Sequence, residues 1–248
     1  MNTRPKPSSR PRRPPANRPL PARLWADGRE QGTLPPNVWV TDEVRRVAPP
    51  GGQRVSVGEA RVFGAVLIEQ RRVMKRLVGD EVFARGLGLV EPERRDEYEA
   101  LTLLGWCRAS TAIAVTRAVA LASGRVPEAF VRDVVVGGFG MVLRTVWRIL
   151  MTNSTDEALV RRAGTLYAKT VDKGVLDVTQ HGPGHVVLEV TGWPEMDDLD
   201  IVALSAGVEA ALLAAGRSGI RVAGERTRSG ARLSARTGRE SERPAPEV

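Results

Sequence analysis

The chain of 248 residues has one cysteine, Cys107, and two histidines, His181 and His185. A single cysteine excludes an intramolecular disulfide and any all-cysteine metal cluster within one chain, and it fits a reducing compartment. A cytoplasmic location is therefore expected. No run of about 18 apolar residues is present to cross a membrane, and the first residues lack the apolar stretch of a secretory signal. The arginine-, proline- and serine-rich start is too broken by prolines to form the amphipathic helix of an organelle transit peptide. No serine or cysteine sits in a strand-to-helix elbow, and two histidines are the only candidate imidazole bases, so triad catalysis is not expected. The sequence points to no catalytic residue, no metal and no cofactor, hence to a protein that is not an enzyme.

What is present is distributed unevenly. Hydrophobic residues make up 42% of the chain, enough for a sizeable core. Residues 1–36 mix proline, arginine and serine without apolar periodicity, and such a stretch buries too little surface to offset its ordering entropy. Residues 1–34 carry eight Lys/Arg against two Asp/Glu, and residues 221–248 carry seven against four. The remaining 186 residues hold 22 basic and 23 acidic side chains, so the surplus positive charge is expected in flexible or terminal segments. The expected organisation is a disordered basic tail over 1–36, a linker or edge strand over 37–55, one α+β domain over 56–236, and a second disordered tail over 237–248.

Ser56, Val57, Gly58 and Glu59 read as a capping box. Behind them Val62, Phe63, Val66, Leu67, Val73, Met74 and Leu77 recur at helical spacing up to Gly79. Shorter helices are expected over 81–86 and from 93 toward 105, the latter with Tyr98, Leu101, Leu103 and Leu104 as its stripe. Residues 106–123 are alanine-rich and predict a closely packed helix ending at Gly124. The next opens with Pro127, whose missing amide is harmless in a first turn, and runs through Phe130, Val134, Met141, Val142, Trp147 and Leu150. Ser154, Thr155, Asp156 and Glu157 form a second capping box, opening a helix with Leu159, Val160, Ala163, Leu166, Tyr167 and Val171 on one side.

After Gly174 the period changes from helix to strand. Residues 175–179 and 185–191, joined by Gly182, Pro183 and Gly184, predict a β-hairpin. A long helix over 196–215 follows, with Asp197 and Asp198 at its start and Leu199, Val202, Ala203, Ala206, Ala210 and Leu213 as the face covering the sheet. Residues 219–226 and 231–236 predict a second hairpin. The fold class is thus α+β, a helical N-terminal half packed on a small antiparallel sheet formed by two hairpins separated by a long helix.

The block over 161–191 (RRAGTLYAKTVDKGVLDVTQHGPGHVVLEVT), followed by Gly192, Trp193, Pro194 and an alanine-rich helix, resembles an uncharacterised family described mainly from myxobacteria. That family is similar in turn to the superfamily of heme-type nitric-oxide-binding domains, 4-vinyl-reductase domains and transport-particle subunits. The resemblance covers roughly residues 57–236. It implies a small-molecule-sensing or protein-docking module, often a homodimer, whose helices and sheet enclose an apolar cavity. Heme chemistry is not implied for this chain. Heme members carry a proximal histidine on a helix and a Tyr-x-Ser-x-Arg motif, whereas Tyr167 is followed by Ala168, Lys169, Thr170 and Val171, and neither histidine lies on a predicted helix. The cysteines of some vinyl-reductase-like domains have no counterpart in 221–236.

Gly137, Gly138, Phe139 and Gly140 lack phosphate-loop spacing and fall inside an apolar helix. Such glycines serve either a close helix crossing or room for a ligand, and the ligand reading names Phe130, Gly137, Gly138, Phe139, Trp147 and Tyr167 as its site. His181 and His185 flank a turn and would supply two ligands to zinc if they faced one another, against the alternative of two polar residues at an exposed turn. Cys107 reads as a small buried hydrophobe, and Asp197, Asp198 and Asp200 as a helix cap. The expected function is a regulatory or scaffold module binding a small apolar ligand or a protein partner. The alternative is a nucleic-acid-associated accessory protein acting through its tails, with Arg10, Arg12, Arg13 and Arg18 on phosphates.

Overall fold

The computed structural model describes residues 58–145 and 156–236. The readings of both tails, of the 37–55 stretch, of Ser56, Val57, Ser154 and Thr155, of Trp147 and Leu150, and of Arg10, Arg12, Arg13 and Arg18 lie outside the described residues.

The first element among the described residues is a strand, not the helix expected behind Glu59. Arg61–Phe63 forms a strand, β1, paired antiparallel with Trp106–Arg108, β2, so that Val62 faces Cys107. These triplets were expected as parts of helices, because three residues, two of them apolar, are too few to separate a period of 2 from one of 3.6. Long-range bonds decide the matter. The Arg61 amide donates to Asp172 Oδ1 at 2.7 Å, the Asp172 amide donates to the Arg61 carbonyl at 3.1 Å, and the Phe63 amide donates to the Thr170 carbonyl at 2.9 Å.

Helix α1 then covers Gly64–Val78 and turns at Gly79, φ 82°, into α2, Asp80–Gly88. Helix α3, Pro92–Glu99, is shorter than its expected stripe, and Leu103 and Leu104 are exposed in the following turn. Tyr98 is its one buried residue, so polar ties hold the helix down. Glu97 accepts from the Arg108 amide and Nε, both at 2.8 Å, and from the Thr111 hydroxyl at 2.6 Å. Burial pushes its carboxyl up, but these donors together outweigh burial and hold it below the usual range. Helices α4, Ala109–Ala122, and α5, Pro127–Thr145, complete the helical half.

Helix α6, Asp156–Ala168, leads into β3, Val175–Gly182, and β4, His185–Thr191. Helix α7, Asp198–Ala214, is closed at its start by a reciprocal capping box: the Asp200 amide donates to Asp197 Oδ1 at 2.8 Å and the Asp197 amide to Asp200 Oδ2 at 2.9 Å. Strands β5, Arg221–Arg226, and β6, Gly230–Arg236, finish an antiparallel sheet of order β3-β4-β6-β5. The fold is α+β.

Two expectations change here. Helix α7 is apolar on more than one side: Leu199 and Ala206 pack with Val131 and Val135 of α5, while Ile201, Leu204 and Val208 face the sheet cluster. Leu213, expected in the covering face, is 41% exposed. The C-terminal arginines are not all outside the fold either. Arg226 pairs with Asp198 at 2.8 Å, and Arg232 on the solvent face of β6 bridges Glu189 and Glu225 at 2.7 and 3.4 Å.

Candidate functional site

Side chains along the sheet alternate between faces, which decides what each strand offers the interior. Leu176, Val178, Leu188, Val190, Ala231 and Leu233 turn toward α6 and α7. Glu189, Arg232 and Ser234 take the other face. Between the inner face and the helices lies a cavity of about 240 Å³. Its helical wall is Val66, Leu67 and Gln70 of α1, Ala112, Ile113 and Thr116 of α4, and Val131, Val135 and Phe139 of α5. Helix α6 adds Leu166 and Tyr167, and α7 adds Ala203, Leu204, Gly207 and Val208. The α7 wall from Asp200 to Leu212 is about 18 Å long at the helical rise.

The hairpin register separates the two histidines. His185 is opposite Gly182 and His181 is opposite Val186, so consecutive pairs place the imidazoles on opposite faces of the sheet. The zinc pairing considered from sequence does not form, and no group of three potential metal ligands exists among the described residues.

Polar groups in the wall are few. The Tyr167 hydroxyl donates to the Lys173 carbonyl at 2.7 Å, and burial, with Asp172 and Asp200 nearby, pushes its phenol well above the ordinary value. The Thr116 hydroxyl donates to the Ala112 carbonyl at 2.9 Å, and the Thr170 hydroxyl to the Tyr167 carbonyl at 2.9 Å. Asp200, at the α7 end of the cavity, is pushed up to about 6, first by burial and then by Asp197, against the pull of the Asp197 amide and Arg117. Gln70 is 8% exposed and its amide has no hydrogen-bond partner among the described residues.

The structure brings two of the expected site residues, Phe139 and Tyr167, to the cavity from different helices. Phe130 is elsewhere, fully buried in the cluster of Val119, Val134 and Tyr98 with the Arg125 guanidinium 5.1 Å from its ring centre. Gly137 is buried in α5 but is not part of the wall. Gly138 lies where α5 crosses α1: a Cβ there would sit 2.7 Å from the Gln70 nitrogen and 2.9 Å from its Cα. Its missing side chain serves close helix approach. Cys107 lies in the same cluster as Phe130, its thiol pushed up to about 12 by burial and then by the Glu97 charge.

Sequence reasoning missed Gln70, Thr116 and the α7 wall. The signal for Gln70 was available, since it is a polar residue inside the stripe Val66, Leu67, Val73 and Met74. That for α7 was masked because its apolar residues surround the helix.

A helical half closing over one face of a four-stranded antiparallel sheet, with an apolar cavity between, defines the class of fold. Solved H-NOX domains share this fold. The chain is similar to a Fe(II) unliganded H-NOX mutant from K. algicida, with TM-score 0.56 at 10% identity over 72% of this chain and 98% of that one. It is similar to an oxygen-binding H-NOX domain related to soluble guanylate cyclases, solved as the oxygen complex, with TM-score 0.51 at 11% identity over 70% and 92%. A mutant H-NOX from T. tengcongensis aligns with TM-score 0.53 at 12% identity over 70% and 96%. Neither a family model nor a curated protein matches the chain. At these identities the likeness is one of fold.

Proposed function

We propose that the chain is a non-enzymatic regulatory module that holds a small apolar ligand in the cavity between its helices and its sheet. The observation that carries this reading is the cavity itself, a space of about 240 Å³ walled mostly by aliphatic side chains of five helices and the sheet. Well-packed interiors leave few voids larger than a water molecule, and concave apolar spaces with a few convergent polar groups are the usual form of ligand sites. The shared architecture with H-NOX domains supports a sensory role.

The residues do not fit a heme. A heme iron requires an axial donor held over the porphyrin centre. Among the described residues the inward-facing imidazole is His181, at the hairpin tip and not on a helix. The Tyr167 hydroxyl is committed to Lys173, and Cys107 belongs to a different cluster. The ligand of this reading is therefore an organic molecule without a ligated metal. Native mass spectrometry of the purified protein is expected to show a bound small molecule, or to show one after incubation with naphthalene. Gly207→Leu, which adds a side chain beyond a Cβ that would already lie in ordinary contact with Phe139 at 3.9 Å, is expected to abolish it. Equal occupancy in the folded Gly207→Leu protein would contradict the reading.

A further inference from the structure

Gln70 of α1, Thr116 of α4, Tyr167 of α6 and Thr170 in the turn after it line the cavity, and three of them bond within their own surroundings: Thr116 to Ala112, Thr170 to Leu166 and Tyr167, Tyr167 to Lys173. Gln70 is the exception. More than nine-tenths buried, it presents an amide with two donors and an acceptor to an apolar wall. Its neighbours on the stripe, Leu67, Val73 and Met74, are themselves buried, and α5 crosses its backbone at Gly138. A buried amide with no partner is costly, and an apolar residue of the same size would remove the cost. The arrangement makes physical sense once something in the cavity completes those bonds.

Resting on the cavity as a ligand site, we propose that Gln70 reads one neutral hydroxyl or carbonyl group on an otherwise apolar ligand. An amide matches either group, donating to a carbonyl or both donating to and accepting from a hydroxyl. Thr116, whose hydroxyl hydrogen is spent on Ala112, offers a further acceptor on the same helical wall. A carboxylate or ammonium beside Gln70 would be buried without a counter-charge. The charged and titratable residues of the lining, Asp200, His181 and Arg217, with His185 at the hairpin tip, come from the sheet, α7 and the segment after it, and none from α1, α4 or α5.

Three probes with one rigid body separate the possibilities: naphthalene, naphthol and naphthoate, the last two substituted at the same ring position. Calorimetric titration of the full chain is expected to show naphthol binding about tenfold tighter than naphthalene, the worth of one hydrogen bond, with naphthoate weakest. In Gln70→Leu and Gln70→Met the preference for naphthol is expected to fall to about onefold, with naphthalene binding retained and folding checked by circular dichroism. If neither variant folds, the order of the three probes on the unmodified chain decides the matter. A naphthol preference that survives in a folded variant overturns the role of Gln70, as does naphthoate binding tightest. Failure of all three probes to bind overturns the cavity reading itself.

Discussion

Phe130, Val115, Val119 and Val134 are completely buried and Tyr98 nearly so, interlocked on the α2, α3 and α4 side of the helical half. Across α5, the side chains of Ile113, Phe139, Ala203, Leu204 and Val208 are only partly buried, although they lie between helices and sheet. The two regions draw on the same kinds of aliphatic residue and share three helices, α1, α4 and α5, yet one is filled and the other is not. Composition therefore does not decide where a void forms. The spacing of elements does. On the filled side Gly86 brings α2 against the Val119 backbone, where a Cβ would come within 2.6 Å. On the open side α7 stands between α5 and the sheet, and its small residues Ala203 and Gly207 leave the span unfilled.

The largest test of this contrast is truncation. Phe130→Ala is expected to cost about 3–5 kcal/mol, because the surrounding side chains are fixed and a cavity remains. Leu204→Ala is expected to cost less than about 2 kcal/mol, since its side chain already borders open space. Urea unfolding of both variants measures the gap, and equal costs would erase the distinction between the regions.

Alanine at two glycines sharpens the same point. Gly138→Ala places a Cβ 2.7 Å from the Gln70 backbone nitrogen and is expected to destabilise by about 1–3 kcal/mol as the helices are forced apart. Gly207→Ala adds a Cβ in ordinary contact with Phe139 and lowers the entropy of the unfolded chain, so it is expected to stabilise by about 0.4–1 kcal/mol. The sign of the two changes in melting temperature is the readout.

A further test is electrostatic. The Asp200 carboxyl is raised in the fold from its ordinary 3.8 to about 6. A raised acid favours the folded state when protonated, so its contribution is complete below its unfolded value and is lost as pH rises through about 6. Melting temperatures measured between pH 4 and 6 are expected to fall more steeply with rising pH in the unmodified chain than in Asp200→Asn. Parallel profiles would place Asp200 in solvent.

Most of the element order was legible from the chain, because Gly79, Gly124, Gly174 and the Gly182 to Gly184 turn punctuate clear periods. The strands β1 and β2 were not, since their pairing depends on Asp172 and Thr170, more than 100 residues along the chain from Arg61 and Phe63. The glycines of α5 were visible as an anomaly, but whether Gly138 made room for a ligand or a helix required knowing that α1 lies opposite it. The cavity wall was legible only through Phe139 and Tyr167. No local pattern announces the α7 contribution, because a helix apolar on several sides gives no moment to read.

Methyl-resolved NMR of the full chain titrated with naphthalene tests the contrast between the two regions most directly. The methyl groups of Leu166, Leu188, Leu204 and Val208 are expected to shift with saturation, while those of Leu87, Val115 and Val119 stay in place. Shifts distributed equally over both groups, or absent from the first, would contradict a ligand-sized space on the sheet side of the fold.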